Sequence, residues 1–271
     1  MGKDNVETAA RRRSAWAGLS GVAVALGATE FFSGLSVSIP SAISSIGAVV
    51  VDITPPWLES FAIAAFGTAD KAVLGLGIIA TALIIGWFLG RASVRTLLPI
   101  IVGFVGFGAL GIASQLAEVG AAAGAVVPAT VAASGIGLLV WSGIRAWTAP
   151  RERPVTDNDV PSIERRRLLL AVGAAATVSV MTLNVGRARI RTRAEAERLS
   201  LDLPTPAVSA ADPTAEHDFG LRGVAPIVVS NATFYRIDTA LVVPRVDPQE
   251  WTLTIKGMVD REVVLYYDEI L

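Results

Sequence analysis

Long apolar runs fill residues 14–185, and each is close to the length of a lipid-crossing helix. A spanning helix needs roughly 17–25 mostly apolar residues. The pattern predicts five of them: Ala15 to about Leu35, Ala72 to Leu89, Leu97 to Ala113, about Ala125 to Trp147, and Leu168 to Val185. The fifth is interrupted only by Thr177, Ser179, Thr182 and Asn184. Glycine recurs in all five, as expected where helices approach closely in lipid.

Between the first two runs, residues 36–71 form more than a linker. Asp52 to Glu59, with Pro55-Pro56, reads as a turn. Phe61 to Phe66 reads as a short amphipathic or re-entrant helix, with Trp57 at interface depth. Thr68 or Asp70 is expected to cap the second span. Two roles fit the loop. One is a docking surface for the tail or a quinone headgroup; the other, preferred on these residues, is a brace on the membrane surface.

After the fifth run the pattern changes. Residues 186–226 are rich in Pro, Ala and charge and show no convincing period, apart from a short helix at Arg193–Leu199. From Ala225 the chain turns β-like. Pro226–Val229, Ala240–Pro244, Trp251–Gly257 and Val263–Leu265 read as short strands. Tyr267–Leu271 reads as the start of a helix, with Asp268 as its cap.

Composition supports lipid as the solvent for much of this chain. Charged residues are 17%, against about 25% in soluble domains, and mean hydropathy is +0.56. A net charge of −1 gives no reason to expect nucleic acid as a partner. With no cysteine, these residues contain no disulfide, thiolate metal site, iron–sulfur cluster or cysteine nucleophile. The single histidine, His217, lies outside the apolar runs, so the bundle is not expected to carry haem. Lysine occurs only at positions 3, 71 and 256, a bias toward arginine that we read as a coding preference.

Arginine placement sets an orientation, because short cytoplasmic loops carry the excess of Lys and Arg. Arg11–Arg13 precede the first span, Arg91 and Arg95 follow the second, and Arg145 to Arg167 separate the fourth and fifth. The intervening loops are acidic or neutral. The N-terminus is therefore expected in the cytoplasm of a multi-pass cell-membrane protein, and the C-terminal domain outside. Arg187, Arg189, Arg191, Arg193 and Arg198 run against this rule after the fifth span. Glu164-Arg165-Arg166-Arg167-Leu168 resembles a twin-arginine export signal, with Glu164 where Ser or Thr is usual. The other reading is an ordinary positive-inside flank. Glu30 is the one carboxylate well inside a predicted span; it is either a proton-relay or quinone-contact group, or a residue that reaches the interface.

The tail carries a resemblance. Asn231-Ala232-Thr233-Phe234-Tyr235-Arg236-Ile237-Asp238-Thr239, followed by Pro244, Asp247, Trp251-x-Leu253-x-Ile255-x-Gly257 and Leu265-x-Tyr267-Asp268-Glu269, resembles the opening of the oxidoreductase molybdopterin-binding domain of the sulfite oxidase family. Upstream, Ala28-Thr29-Glu30, Asp52-Ile53-Thr54-Pro55-Pro56-Trp57 and Phe66-Gly67-Thr68-Ala69-Asp70-Lys71 resemble the membrane region of its bacterial membrane-bound members. The resemblance implies a molybdenum cofactor and two-electron, oxygen-atom-transfer chemistry in the complete protein. It also implies cofactor contacts at Asn231, Phe234, Tyr235 and Arg236. An anionic, phosphorylated pterin needs a cation, amide donors and aromatic walls, and these side chains are of the right kind. On the residues alone, Phe234 and Tyr235 serve equally as strand core and Arg236 as a surface partner of Asp238.

The family holds molybdenum through a cysteine, and this sequence has none. It is accordingly expected to be a truncated form, inactive alone and free of cofactor.

The expected fold class is an α-helical membrane bundle of about five spans. It is followed by an incomplete extracytoplasmic β-rich α+β domain, the N-terminal edge of a sulfite-oxidase-like fold. The expected organisation is a cytoplasmic N-terminus at 1–13, a four-span domain at 14–147, a cytoplasmic connector with the twin-arginine-like motif at 148–167, a fifth span or signal anchor at 168–185, a linker at 186–224 and the start of the molybdopterin-binding domain at 225–271. The expected partners are the bilayer and a quinone or redox partner. The alternative function is a non-enzymatic membrane subunit or scaffold with an external partner-binding domain. A transporter fits less well, since no repeated pair of broken helices is evident.

Overall fold

The first apolar run is the middle of a longer helix. In a computed structural model of the chain, which describes residues 3–149, 160–199, 207, 220–224, 229 and 251–270, helix α1 covers Lys3–Leu35. The polar first turns of α1 contain good helix formers such as Ala, Arg and Glu, so the helix continues past the lipid-length segment. Then follow α2 (Ala42–Ile53), α3 (Pro56–Phe66), α4 (Asp70–Ala92), α5 (Leu98–Leu116), α6 (Ala123–Trp147) and α7 (Val160–Leu199). Five stretches are long and apolar enough to cross a membrane: Glu7–Leu35, Asp70–Ala92, Leu98–Leu116, Ala123–Trp147 and Arg165–Thr192. These are the five predicted spans, and by length and composition they make the chain a multi-pass membrane protein.

Three expectations about the helices need correction. The loop between the first two spans contains a further helix, α2, which sequence reading left as loop. Its N-cap is Ser41, whose Oγ accepts from the Ser44 N–H at 3.2 Å. Asp52 and Ile53 are its last residues, so the expected turn at 52–59 shrinks to Thr54-Pro55, and α3 starts at Pro56. Proline suits that first helical position because its missing N–H needs no partner there. At α4, Asp70 is the first helical residue and the N-cap is Ala69, which makes no side-chain bond; Asp70 Oδ1 instead accepts from Lys71 N–H at 2.6 Å. Finally, α7 is one helix of 40 residues. It begins inside the expected 148–167 connector and absorbs the short helix expected at 193–199, together with the first part of the expected 186–224 linker. Its polar end is rich in Arg, Ala and Glu, which favour helix without being apolar. At about 1.5 Å per residue it is about 60 Å long, some twice the hydrocarbon thickness.

By its contacts the chain forms two units, Met1–Ala196 and Glu197–Leu271. In the first, α1 is the hub and packs most extensively on α4 and α6. Glycine makes the approach possible. A Cβ placed on Gly18 would lie 2.8 Å from Gly90 Cα, and one on Gly34 would lie 2.8 Å from Gly186 Cα on α7. Only a residue without a side chain allows backbones that close. Val22 and Ala17 of α1, Ile100 and Phe104 of α5, and Trp141 and Ile144 of α6 form the buried centre. α3 differs from the rest. None of its residues is buried, Trp57 is 71% exposed, and Phe61 and Ile63 are exposed with it. Such an exposed apolar helix is of the kind that suits a membrane surface.

In the second unit, β1 (Thr252–Ile255) pairs antiparallel with β2 (Val263–Tyr266), from Thr252 opposite Tyr266 to Ile255 opposite Val263. β1 lies within the expected strand Trp251–Gly257, and β2 covers the expected Val263–Leu265 and runs on to Tyr266. Gly257, at φ +106°, turns the chain out of β1 in a backbone region that favours glycine. Trp251 and Tyr267 meet edge to face at the open end of the hairpin, with ring centroids 6.0 Å apart. The expected helix after Tyr267 is a single 3₁₀ turn, Tyr267–Glu269. It is held by Glu269, whose Oε2 accepts from the Tyr266 N–H at 2.7 Å, and not by Asp268 as cap.

Candidate functional site

The four residues expected to hold a cofactor, Asn231, Phe234, Tyr235 and Arg236, lie outside the described residues. So do His217 and the expected strands at 226–229 and 240–244, apart from Val229. Of the resembling tail, the described part is the hairpin that carries Trp251, Leu253, Ile255, Gly257, Leu265 and Tyr267. The chemistry that the described residues do bring together lies in the bundle, where two polar clusters occupy its opposite ends.

The first cluster is built around Glu30, near the C-terminal end of α1. Glu30 is 1% exposed, so its side chain is enclosed by protein. Its Oε1 accepts from the Ser41 hydroxyl at 2.7 Å and from the Ile43 N–H at 3.4 Å. Ser41 and Ile43 open α2, so the carboxylate sits at that helix's N-terminus, where exposed N–H groups and the helix dipole favour negative charge. Its Oε2 faces Arg187 Nε of α7 at 3.9 Å. Two residues on, Arg189 lies over the Phe31 ring, 5.5 Å from its centroid. Two of the arginines that break the positive-inside rule thus have partners on α1.

Gln115 of α5 extends the cluster. Buried as deeply as Glu30, it donates from Nε2 to the Pro40 carbonyl at 2.6 Å and accepts at Oε1 from the Thr130 hydroxyl of α6 at 3.0 Å. The Ala122 N–H donates to the Ser38 carbonyl at 3.1 Å. The segment 36–41 is therefore tied to α1, α5 and α6 at once. Every polar group named here is satisfied within the protein. That pattern fits a seal or brace better than a proton relay, which needs an open partner for its proton.

At the opposite end, Arg145 of α6 donates to the Ser93 and Val94 carbonyls at 3.1 and 3.4 Å and stacks on Trp141, 4.7 Å from the ring centroid. Ser93 Oγ accepts from the Ile100 N–H at 3.0 Å, closing the turn between α4 and α5. Arg13 donates to the Thr148 carbonyl at 3.0 Å, and Glu7 accepts from Arg11 at 2.7 Å and Arg95 at 2.9 Å. Helix ends leave unpaired carbonyls, and in lipid such groups must find donors within the protein. Arginine supplies them here.

Sequence reading singled out Glu30 but missed Ser41, Gln115 and Arg187 as its company. One signal was available: serine directly before an apolar run is a helix-start signature. Gln115 lies two residues past the expected end of its span, where a polar residue draws no notice. Comparison with protein families, with curated proteins and with solved structures yields no match.

Proposed function

We propose that this chain is the membrane anchor and N-terminal part of a molybdenum-cofactor oxidoreductase of the sulfite oxidase type, with its N-terminus in the cytoplasm and its β-rich part outside. One observation carries the reading. The Trp251–Gly257 and Leu265–Tyr267 motifs, picked out by resemblance, meet as the two arms of one hairpin closed by Trp251 on Tyr267. A multi-span bundle precedes that hairpin in the same chain, as the resemblance requires.

The donor set fits half of the cofactor. Arg236 suits the pterin phosphate, Asn231 and Tyr235 its heteroatoms, and Phe234 its ring. The metal has no matching ligand in these 271 residues, because a thiolate is needed and there is no cysteine. When bound, such a cofactor supplies two-electron oxygen-atom transfer; the protein supplies position and electrostatics. Electrons would pass to a quinone or a redox partner at the membrane surface. A second reading, a non-enzymatic membrane subunit whose external part binds a partner, draws support from the same lack of cysteine.

The test uses a form extended by the residues encoded after position 271. Under the first reading it contains one cysteine in a β-rich setting and purifies with about one molybdenum and one pterin per chain. The 271-residue chain purifies with neither. In the extended form Arg236→Ala strips the cofactor without disturbing membrane insertion, whereas Asp260→Ala, at an exposed turn, does not. An extended form without cysteine or pterin supports the second reading.

A further inference from the structure

A groove of about 360 Å³ opens between α1, α6 and α7. Val24 and Ile144, both buried, form its floor, and Ala171, Ala174 and Val178 of α7 form one wall. Trp147, half exposed at the C-terminal end of α6, stands at its mouth. Its depth is evident from the helices. The α6 residues that line it belong to the last two turns of α6, and tryptophan at a helix end marks the level of the headgroups. The groove is thus an apolar slot that starts at the interface and runs toward the bilayer centre. Gly143 lies in it, and a Cβ added there would meet nothing within 4 Å.

Arg165, Arg166 and Arg167 stand at the same end, in the turns of α7 just before the groove wall. Arg167 precedes Ala171 by four residues, Ala174 by seven and Val178 by eleven, so all four share one helical face. Among the described residues none of these three guanidinium groups has an ion pair or hydrogen bond, in contrast to Arg145 and Arg187. An apolar slot of acyl-chain character thus leads to three uncommitted cations at headgroup level. Basic clusters between transmembrane helices select anionic headgroups. A quinone fits less well, because every residue lining the slot is apolar apart from the indole N–H of Trp147 at its mouth.

We propose that the α1–α6–α7 groove is a specific site for an anionic phospholipid, with an acyl chain in the slot and the phosphate held by Arg167 with Arg165 or Arg166. The proposal rests on the bundle alone and is independent of the tail's chemistry and of the direction of insertion.

The test is native mass spectrometry of the full chain, delipidated in detergent and titrated with phosphatidylglycerol or phosphatidylcholine of identical chains. The wild-type chain is expected to retain one phosphatidylglycerol in preference to phosphatidylcholine. Arg167→Gln should weaken that binding about fivefold while leaving phosphatidylcholine unchanged. Gly143→Leu, whose Cβ meets nothing within 4 Å and whose side chain adds bulk at the slot, should weaken both lipids. Gly75→Leu, on α4 where an added Cβ also meets nothing, should weaken neither and controls for folding. Equal retention of the two lipids overturns the headgroup assignment, and so does unchanged binding by Arg167→Gln. Unchanged binding by Gly143→Leu overturns the slot. Displacement of phosphatidylglycerol by a short-chain quinone at equal concentration would make the groove a quinone site and overturn the proposal as well.

Discussion

Glu30 on α1 faces Arg187 on α7 across 3.9 Å, with Glu30 1% exposed and the Arg187 side chain 44% exposed. The asymmetry decides what the pair does. Arg187 can be solvated whether or not Glu30 is present, whereas Glu30 depends on its protein partners. The strongest of those are the Ser41 hydroxyl and the Ile43 N–H, so the carboxylate works chiefly as a remote cap on α2 and only secondarily as an ion pair.

Glu30→Ala should therefore cost about 1–3 kcal/mol of stability, the range for stripping a partner from buried donors. Arg187→Ala should cost about 0–1 kcal/mol, the range for exposed pairs. Thermal unfolding in a mild detergent checks the order. A larger loss for Arg187→Ala would mean that the α1–α7 pair, and not the α2 cap, is the main role of Glu30.

The spans were legible because a run of apolar residues of fixed length is the whole signal, and lipid demands nothing subtler. The α4, α5 and α6 boundaries fall within three residues of those read from sequence. α2 was not legible on the same criterion. Its 12 residues are too few to cross a bilayer and include Ser44 and Ser45, so it exists through the Ser41 and Glu30 caps and its packing on α5. The polar end of α7 was legible only in part, at Arg193–Leu199, and its continuity with the fifth span was missed for the converse reason: its helicity comes from propensity, to which an apolar-run criterion is blind. In the tail, the β-prone runs Trp251–Gly257 and Val263–Leu265 marked β1 and β2, since short β-branched and aromatic runs bounded by turn residues show directly in sequence. Glu30 stood out as a charge among apolar neighbours, but its partners are 11, 13 and 157 positions away and only folding brings them together.

Close backbone approach gives the second prediction. A Cβ on Gly90 would lie 2.9 Å from Gly18 Cα and 3.1 Å from Gly18 N, against backbone that cannot rotate away. Gly90→Val should push α4 off α1 and cost about 1–3 kcal/mol, as overpacking does. Gly75→Val, on the same helix in open space, should be close to neutral. Unfolding of the two variants side by side is the check, and equal stability would refute the α1–α4 packing.

Orientation can be tested on a chain with no native cysteine. Val119 is 91% exposed in the α5–α6 turn, Leu221 is exposed in the second unit, and Thr96 is exposed in the α4–α5 turn. With the N-terminus inside, Val119→Cys and Leu221→Cys in intact cells should react with a membrane-impermeant thiol reagent, and Thr96→Cys should react only after lysis. Labelling of Thr96→Cys in intact cells together with protection of Leu221→Cys would invert the orientation. Protection of Leu221→Cys alone would place the crossing of α7 in question, where Arg187 and its neighbours oppose the charge rule.

The last prediction concerns Gln115, which joins segment 36–41 to α5 and α6. Its two bonds are not equivalent. In a Gln115→Leu variant, the Thr130 hydroxyl can turn to a carbonyl one turn back in α6, as helical threonines do. The Pro40 carbonyl has no such alternative, since Gln115 Nε2 is the donor that reaches it at 2.6 Å. Gln115→Leu should therefore cost about 1–3 kcal/mol, for a buried acceptor left unmet in an apolar setting. Thr130→Val should cost less, about 0.5–1.5 kcal/mol, for one neutral hydrogen bond. In the double variant the Thr130 substitution should add little, because Gln115→Leu has already removed its partner. Thermal unfolding of the two single variants and the double variant measures that coupling. Full additivity of the two losses would show that the Gln115–Thr130 bond contributes nothing, and that α5 and α6 are held at this end by packing alone.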